Sequence, residues 1–163
     1  MKFSLRQKLF AYIRKIYFLS INRNLKIGKN VYIGRNCSIS AIYNLKIGNN
    51  IYIGKNVTIE VEGSIGDGTV IANSVGIIGK YDHQVTDTKL KAFDAATVRE
   101  NKKLSKPLHI GEGCFVGYGA IILSGVIVGD NSVIAAGSLV TKSIEPYTIV
   151  AGNPAKMIGR RPQ

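Results

Sequence analysis

Aliphatic residues recur every six positions through most of this 163-residue chain, and this period constrains the fold more than any other feature. Fifteen anchor positions, in three runs, are all Ile or Val. The runs are Ile27, Ile33 and Ile39; Ile47, Ile53, Ile59, Ile65, Ile71 and Ile77; and Ile110, Val116, Ile122, Val128, Ile134 and Val140. Because a helix repeats at about 3.6 residues and an amphipathic strand at about two, a period of six indicates short extended segments separated by turns.

The position three residues after each anchor is the predicted turn. Asn or Gly fills it ten times in fifteen, and these residue types tolerate left-handed backbone angles. They are Asn30, Asn36, Asn50, Asn56, Gly68, Gly113, Gly119, Gly125, Asn131 and Gly137. Three segments make a triangular coil of about eighteen residues, and coils stack about 4.8 Å apart. The repeat therefore predicts an all-β fold, a parallel β-helix of about five coils with the anchors inside.

Residues 2–21 are predicted to form an amphipathic helix. At about 100° per residue, most apolar side chains fall on one arc, opposite Lys8, Arg14 and Lys15, whereas Phe18 falls outside it. The arc contains Phe3, Leu5, Leu9, Phe10, Tyr12, Ile13, Ile16, Tyr17 and Leu19. One interpretation is a cap on the open end of the β-helix, with apolar residues on the coil and cations outward. The other, compatible with the first, is a helix that lies on an anionic membrane.

The net charge of +12 is concentrated in the first third of the chain. Residues 1–59 contain eleven Lys or Arg and no acidic residue, whereas residues 60–163 contain eleven basic and ten acidic residues. This asymmetry favours contact with lipid head groups or with an acidic polysaccharide. A nucleic-acid partner is not expected, because the sequence contains no recognisable nucleic-acid-binding motif and no pattern of aromatic residues that would stack on bases.

Cys37 and Cys114 form no disulfide framework, and no apolar run approaches the ~18–20 residues of a membrane-spanning helix. We therefore expect a cytoplasmic protein, and the membrane interpretation of the helix would place it at the inner face of the membrane. Residues 1–24 are assigned to the basic helix or cap, and residues 25–161 to the β-helix domain.

A polar excursion interrupts the repeat at about residues 79–109, and an excursion of this length in a compact domain is usually either functional or disordered. It contains both histidines of the chain. His83 lies near its start, whereas His109 directly precedes the resumed repeat and is interpreted as a surface residue. Because catalytic zinc needs about three protein ligands, two histidines without suitable spacing predict that no metal is bound.

The chain resembles the hexapeptide-repeat acetyltransferases, in particular the galactoside, maltose and polysaccharide O-acetyltransferase branch. The resemblance covers about residues 25–161. The motifs that carry it are His83 in the excursion, the restart Pro107-Leu108-His109-Ile110-Gly111, the segment from Val133 to Lys142, and the tail from Pro146 to Ile158. It implies a left-handed β-helix, a hand that the spacing alone does not give. It also implies a homotrimer that uses acetyl-CoA as cosubstrate.

The resemblance also implies a set of site residues. His83 matches the catalytic histidine, the general base on an acceptor hydroxyl. The residues that match acetyl-CoA contacts are Gly117, Tyr118, Ala136, Thr141, Lys142, Lys156, Arg160 and Arg161. Acceptor contacts are assigned to Tyr81, Asp82 and Asp87. The carboxylates considered as partners that orient His83 are Asp82, Asp87, Asp67, Glu60 and Glu62, and the sequence does not choose between them.

The expected function is acetyl-CoA-dependent O-acetylation of a sugar hydroxyl, on a cell-surface polysaccharide or its precursor. The alternatives are N-acetylation of an amino sugar or an antibiotic, and a non-catalytic scaffold or anion-binding module. Three departures from the branch bear on specificity. Phe115 stands where Trp is usual, Gly159 stands where some relatives have Arg, and the excursion is longer than in the galactoside enzymes. Specificity for small sugars is therefore not implied.

Overall fold

The computed structural model describes residues 4–80, 83–84, 86, 88–104 and 106–162. It begins with one helix, α1 (Leu5–Ile21). Ser4 caps this helix in a capping box, because its hydroxyl accepts from the amide of Gln7 while the Gln7 side chain accepts from the amide of Ser4. No helix among the described residues has the length and apolarity that crossing a bilayer requires.

Within the described residues, the strands stack into three sheets that form the sides of a prism. Sheet A contains β1 (Leu25–Ile27), β4 (Leu45–Ile47), β7 (Gly63–Ile65), β10 (Leu108–Ile110) and β13 (Ile127–Val128). Sheet B contains β2 (Tyr32–Ile33), β5 (Tyr52–Ile53), β8 (Val70–Ile71), β11 (Phe115–Val116), β14 (Val133–Ile134), β16 (Thr148–Gly152) and β17 (Ala155–Arg160). Sheet C contains β3 (Ser38–Ser40), β6 (Thr58–Glu60), β9 (Gly76–Ile78), β12 (Ile121–Leu123) and β15 (Leu139–Val140).

Successive coils pair in parallel, and β17 alone among these strands turns back to pair antiparallel with β16. The chain completes five coils and begins a sixth, as predicted. Fourteen of the fifteen anchors are buried, and Ile27 in the first coil is partly buried. Each buried Ile or Val contributes about 1.5–3 kcal/mol relative to an exposed one, so this inner column is the main source of stability.

The predicted turns are confirmed by the backbone. All ten Asn and Gly positions have positive φ angles, between 53° and 81°. Ser74, three residues after the anchor Ile71, has a φ of 60°. Tyr147 has a φ of 58° and lies three residues after Ile144, which pairs with the anchor Val128. The sequence pattern did not single them out, because neither residue type favours this conformation.

Two residues are inserted at the corner between the first and second coils, where the repeat slips. Ile27 pairs with Ile47 of the second coil, and Ile47 pairs with Ile65 of the third. The first coil is therefore two residues longer than the second. The buried Glu62 carboxylate accepts hydrogen bonds from the amides of residues 42, 43 and 44. These bonds satisfy the backbone that the insertion exposes.

The orientation predicted for the helix is wrong. Ala11 and Phe18 are the buried residues of α1, and Phe18 joins the core. The Arg14 guanidinium donates to the carbonyl oxygen of Ile33 at 2.8 Å, and the Lys15 ammonium donates to that of Gly28. The polar side of α1 therefore caps the first coil, and the apolar arc faces outward.

Candidate active site

The excursion leaves and rejoins the prism at one corner, between sheets C and A. At its start, the Lys80 amide donates to the Ser124 hydroxyl at 2.8 Å. At its end, the Leu108 amide donates to the Glu62 carbonyl at 2.8 Å, so β10 stacks directly on β7. Two short 3₁₀ helices lie between these points, at Ala92–Asp94 and Lys102–Leu104. The parallel ladder therefore continues across the excursion.

His83 lies on a short antiparallel bridge within the excursion. It pairs with Thr97, and the adjacent Gln84 amide donates to the Ala96 carbonyl at 2.9 Å. The Asn101 side chain also donates to Gln84 Oε1, at 3.4 Å. These contacts hold the backbone on both sides of an exposed imidazole.

A cavity of about 410 Å³ brings His83 together with Thr141, the residue that directly follows β15. Ser124 and Gly125 of the preceding coil also line it. Its cationic lining residues are Lys80, Lys103 and Lys106. The volume lies in the range of small-molecule sites, about 300–1,000 Å³. Of the predicted site residues that the structure describes, His83 and Thr141 are the two that line this cavity.

Glu100 is a carboxylate near His83 that sequence reasoning missed. Its Oε2 accepts from the amide of Thr97 at 2.8 Å and from the Thr97 hydroxyl at 3.0 Å. These hydrogen bonds lower the pKa of Glu100, and the charge of nearby His83 lowers it further. The available signal was the pattern Thr97-x-x-Glu100, which is typical of a capping box.

Three carboxylates that were considered as partners of His83 have other hydrogen bonds. Glu62 binds backbone amides at the first corner, Glu60 accepts from the Ser38 hydroxyl at 2.7 Å, and Asp67 accepts from Asn49. Each of these bonds ties one coil to the next. Asp82 and Asp87, together with Tyr81, lie outside the described residues.

Three of the predicted acetyl-CoA contacts lie on a different corner, between sheets B and C. Gly117 and Tyr118 follow β11, and Ala136 follows β14 in the next coil. The coils approach so closely here that a Cβ on Gly117 would lie 2.5 Å from the Ala136 amide nitrogen. The Tyr118 side chain is 61% exposed, so it is accessible to a partner or ligand.

The remaining cationic predictions are exposed. Lys142 directly follows Thr141, and Lys156 and Arg160 lie on β17. Arg161 is engaged within the chain, since its guanidinium donates to the Asn131 carbonyl at 3.0 Å. Within a single chain, the predicted acetyl-CoA contacts are thus spread over two corners of the prism and the terminal hairpin.

His109 and the cysteines have local roles. His109 Nδ1 lies 3.0 Å from the Ser64 hydroxyl, on the outer side of sheet A. Burial raises the pKa of both thiols, Cys37 and Cys114, which keeps them protonated near neutral pH. Among the residues searched in the described part of the chain, no three His, Cys, Asp or Glu side chains come together as a metal-binding group.

Comparison with known proteins finds similar sequences and structures. Residues 107–142 match the family model described as a hexapeptide repeat of succinyl-transferase. Galactoside O-acetyltransferase of Escherichia coli is 33% identical over 151 residues, which cover 91% of this chain and 60% of that protein. A maltose O-acetyltransferase structure from Clostridium difficile 630 matches with a TM-score of 0.72 at 27% identity, over 96% of this chain and 83% of that one. Over nine tenths or more of its length, the chain is similar to these two O-acetyltransferases.

The match to the maltose O-acetyltransferase structure confirms the predicted left-handed β-helix. A second relative is similar over a shorter stretch. Chloramphenicol acetyltransferase of Agrobacterium fabrum is 54% identical over 52 residues, which cover 32% of this chain and 25% of that protein. The chain spans about 60% of the length of the galactoside enzyme and a smaller part of the chloramphenicol enzyme.

Proposed function

We propose that this protein is an acetyl-CoA-dependent O-acetyltransferase that acts on a sugar hydroxyl, on a cell-surface polysaccharide or its precursor. The observation that carries the proposal is the cavity shared by His83 and Thr141. Support comes from the galactoside and maltose O-acetyltransferases, whose similarity extends over nine tenths or more of this chain. The excursion residues His83, Lys103 and Lys106 line the cavity and are exposed, which supports access for an extended acceptor.

In the proposed reaction, His83 acts as the general base. The imidazole accepts the proton of the acceptor hydroxyl as that oxygen attacks the thioester carbonyl carbon. The carbon–sulfur bond then breaks, and the imidazolium returns the proton to the departing sulfur, which gives the acetyl ester and the CoA thiol. A backbone N–H stabilises the oxyanion that forms on the carbonyl oxygen. Glu100 accepts a hydrogen bond from the Thr97 amide and so supports the segment that pairs with His83.

The proposed donor site is completed by a homotrimer. Thr141 lies in the His83 cavity, whereas Gly117 and Tyr118 lie on another corner of the prism. Association of three copies would bring that second corner of one subunit beside the cavity of its neighbour. In this arrangement Lys142, Lys156 and Arg160 supply cations for the phosphates of acetyl-CoA. Tyr81, Asp82 and Asp87 remain predicted acceptor contacts.

A second candidate function is acetylation of an antibiotic. It is favoured by the 54% identity to the chloramphenicol acetyltransferase, although that match covers only 52 residues. The acceptor therefore distinguishes the two candidates.

Release of the CoA thiol, followed by absorbance with a thiol reagent, tests the proposal. The acceptors are galactosides, maltose, acidic and neutral bacterial oligosaccharides, an amino sugar and chloramphenicol. We expect turnover with an oligosaccharide. His83→Ala should lower it by ~10²–10⁴ without weakening acetyl-CoA binding, because a general base acts on the chemical step. Lys142→Ala should weaken acetyl-CoA binding by about 1–3 kcal/mol in calorimetry.

His109→Ala is the matched control for the base, because this histidine is exposed and lies outside the cavity. It should retain nearly full turnover. Turnover that survives in His83→Ala but fails in His109→Ala would contradict the assignment of the base. Turnover with chloramphenicol alone would favour the second candidate function.

A further inference from the structure

The polar side of α1 is used to cap the β-helix. Within the prism, the Ile53 carbonyl accepts from the Gly34 amide of the coil before it. Ile33 occupies the same position in the first coil, where no earlier coil exists, and its carbonyl accepts from Arg14 instead. Asn22, at the end of α1, donates in the same way to the Ile39 carbonyl at 3.0 Å. This capping fixes which side of α1 faces the protein.

The opposite side of α1 is therefore apolar and exposed. Nine large apolar side chains of this helix are between 38% and 85% exposed. We call them the outer face of α1: Leu5, Leu9, Phe10, Tyr12, Ile13, Ile16, Tyr17, Leu19 and Ile21. Packing within the chain does not account for this face, because Ala11 and Phe18 make the buried contacts. An exposed apolar patch of this size marks an interaction surface.

Cations border the outer face. A groove of about 870 Å³ between α1 and the outside of sheet B is lined by Lys8, Lys15 and Lys29, and none of its described lining residues is acidic. Tyr12 belongs to both the groove and the outer face, so the two surfaces are continuous. Residues 1–59, which include α1 and the first two coils almost entirely, contain no carboxylate side chain. The apolar face is thus paired with positive charge alone.

We propose that the outer face of α1 docks on the surface of an anionic lipid bilayer. Apolar side chains with cations beside them match the boundary between acyl chains and negatively charged head groups. Leu9, Ile13 and Ile16 enter this boundary, while Lys8 and Lys29 bind head-group phosphates. Lys15 remains engaged with the Gly28 carbonyl.

The charge beside the outer face favours a bilayer over a second copy of the chain. A two-fold interface brings the same surface of each copy together, so the cations beside one outer face would meet those beside the other. Residues 1–59 offer no carboxylate side chain to pair with them. A bilayer needs no complementary surface, and its affinity rises with each apolar side chain that enters it.

Flotation of the full-length protein with lipid vesicles tests this proposal. The vesicles are pure phosphatidylcholine, or phosphatidylcholine with one quarter phosphatidylglycerol. We expect flotation with the anionic vesicles and little with the neutral ones. The double variant Leu9→Glu/Ile13→Glu should lose flotation, because both side chains are half-exposed and make no core contact. Lys8→Gln and Lys29→Gln should each lower the partition coefficient about fivefold.

Phe93→Ser is the matched control, because Phe93 is 96% exposed but lies on the excursion rather than on α1. It should float like the parent protein. Circular dichroism and light scattering of each variant establish that the fold and the molar mass are unchanged. Failure to float with anionic vesicles would overturn the proposal, and so would equal flotation of the Leu9→Glu/Ile13→Glu variant. A lower molar mass of that variant without lipid would assign the outer face to contact between copies instead.

Discussion

Asp67 connects two coils through a single neighbouring residue. Its carboxylate accepts from the Asn49 amide at 2.8 Å and from the Asn49 side chain at 2.9 Å. The Asn49 side-chain and backbone hydrogen bonds lower the pKa of Asp67 below its ordinary value of 3.8. Because the folded pKa is depressed, this contact stabilises the protein above pH 3.8 and is lost as the pH falls through the folded value.

The variant Asp67→Asn tests this contact. We expect it to lower the Tm at neutral pH and to reduce the further fall in Tm between neutral and strongly acidic solution, since the amide does not titrate. Thermal unfolding followed by circular dichroism at several pH values measures both effects. Glu145→Gln is the control, because its side chain is exposed. If the Tm of Asp67→Asn and the Tm of the parent protein change with pH in the same way, the contact does not contribute to the pH dependence of stability.

At the residue scale, the sequence identified part of the candidate site. His83 and Thr141 were found from family motifs, and the structure brings them into one cavity. Lys103 and Lys106 were not found, because they lie in the excursion, where no periodic pattern fixes the path of the chain. Glu100 was missed for the same reason, since its capping pattern has a meaning only once Thr97 is known to pair with His83.

At the scale of elements, the turns limit the stability of the coils. Ser74 adopts φ of 60°, which costs an ordinary L-residue about 1–2 kcal/mol. Ser74→Asn should therefore stabilise the protein by about 0.5–1 kcal/mol, because Asn tolerates this conformation. Asn50→Ala, at φ of 56°, should destabilise it by about 1 kcal/mol. Denaturant unfolding with an unchanged m-value measures both, and shifts of the same sign would contradict this account.

The strands and turns were predictable, but the packing of α1 was not. A period of six fixes which residues point inward, because each coil repeats the environment of the last. The helical pattern of α1 separates a polar side from an apolar side without saying which one packs. The choice depends on unpaired carbonyls at the open end, and these attract Arg14, Lys15 and Asn22. Such groups are visible only in the folded first coil.

At the scale of the whole molecule, the prism has flat sides with exposed apolar residues. Phe115, Ile121 and Ile127 lie on the three different sheets and are between 39% and 56% exposed. We expect a trimer in solution, with a mass three times the 17.7 kDa of the chain by light scattering. Ile127→Asp should dissociate it, and the exposed Phe93→Asp on the excursion should not. A monomer that transfers acetyl groups at the parent rate would contradict this prediction.

The closure of the excursion at one corner has a consequence for how this protein can diverge. β10 pairs with β7 as it would if no excursion interrupted the coils. Residues can therefore be added to or removed from the excursion without changing the pairing of any strand. The inner column of Ile and Val maintains the fold, while the excursion carries His83 and most of the cavity wall. Under the proposed function, mutations that select a new acceptor fall on this segment, whose length the strand ladder does not constrain. The choice of acceptor would then be free to evolve faster than the scaffold that supports it.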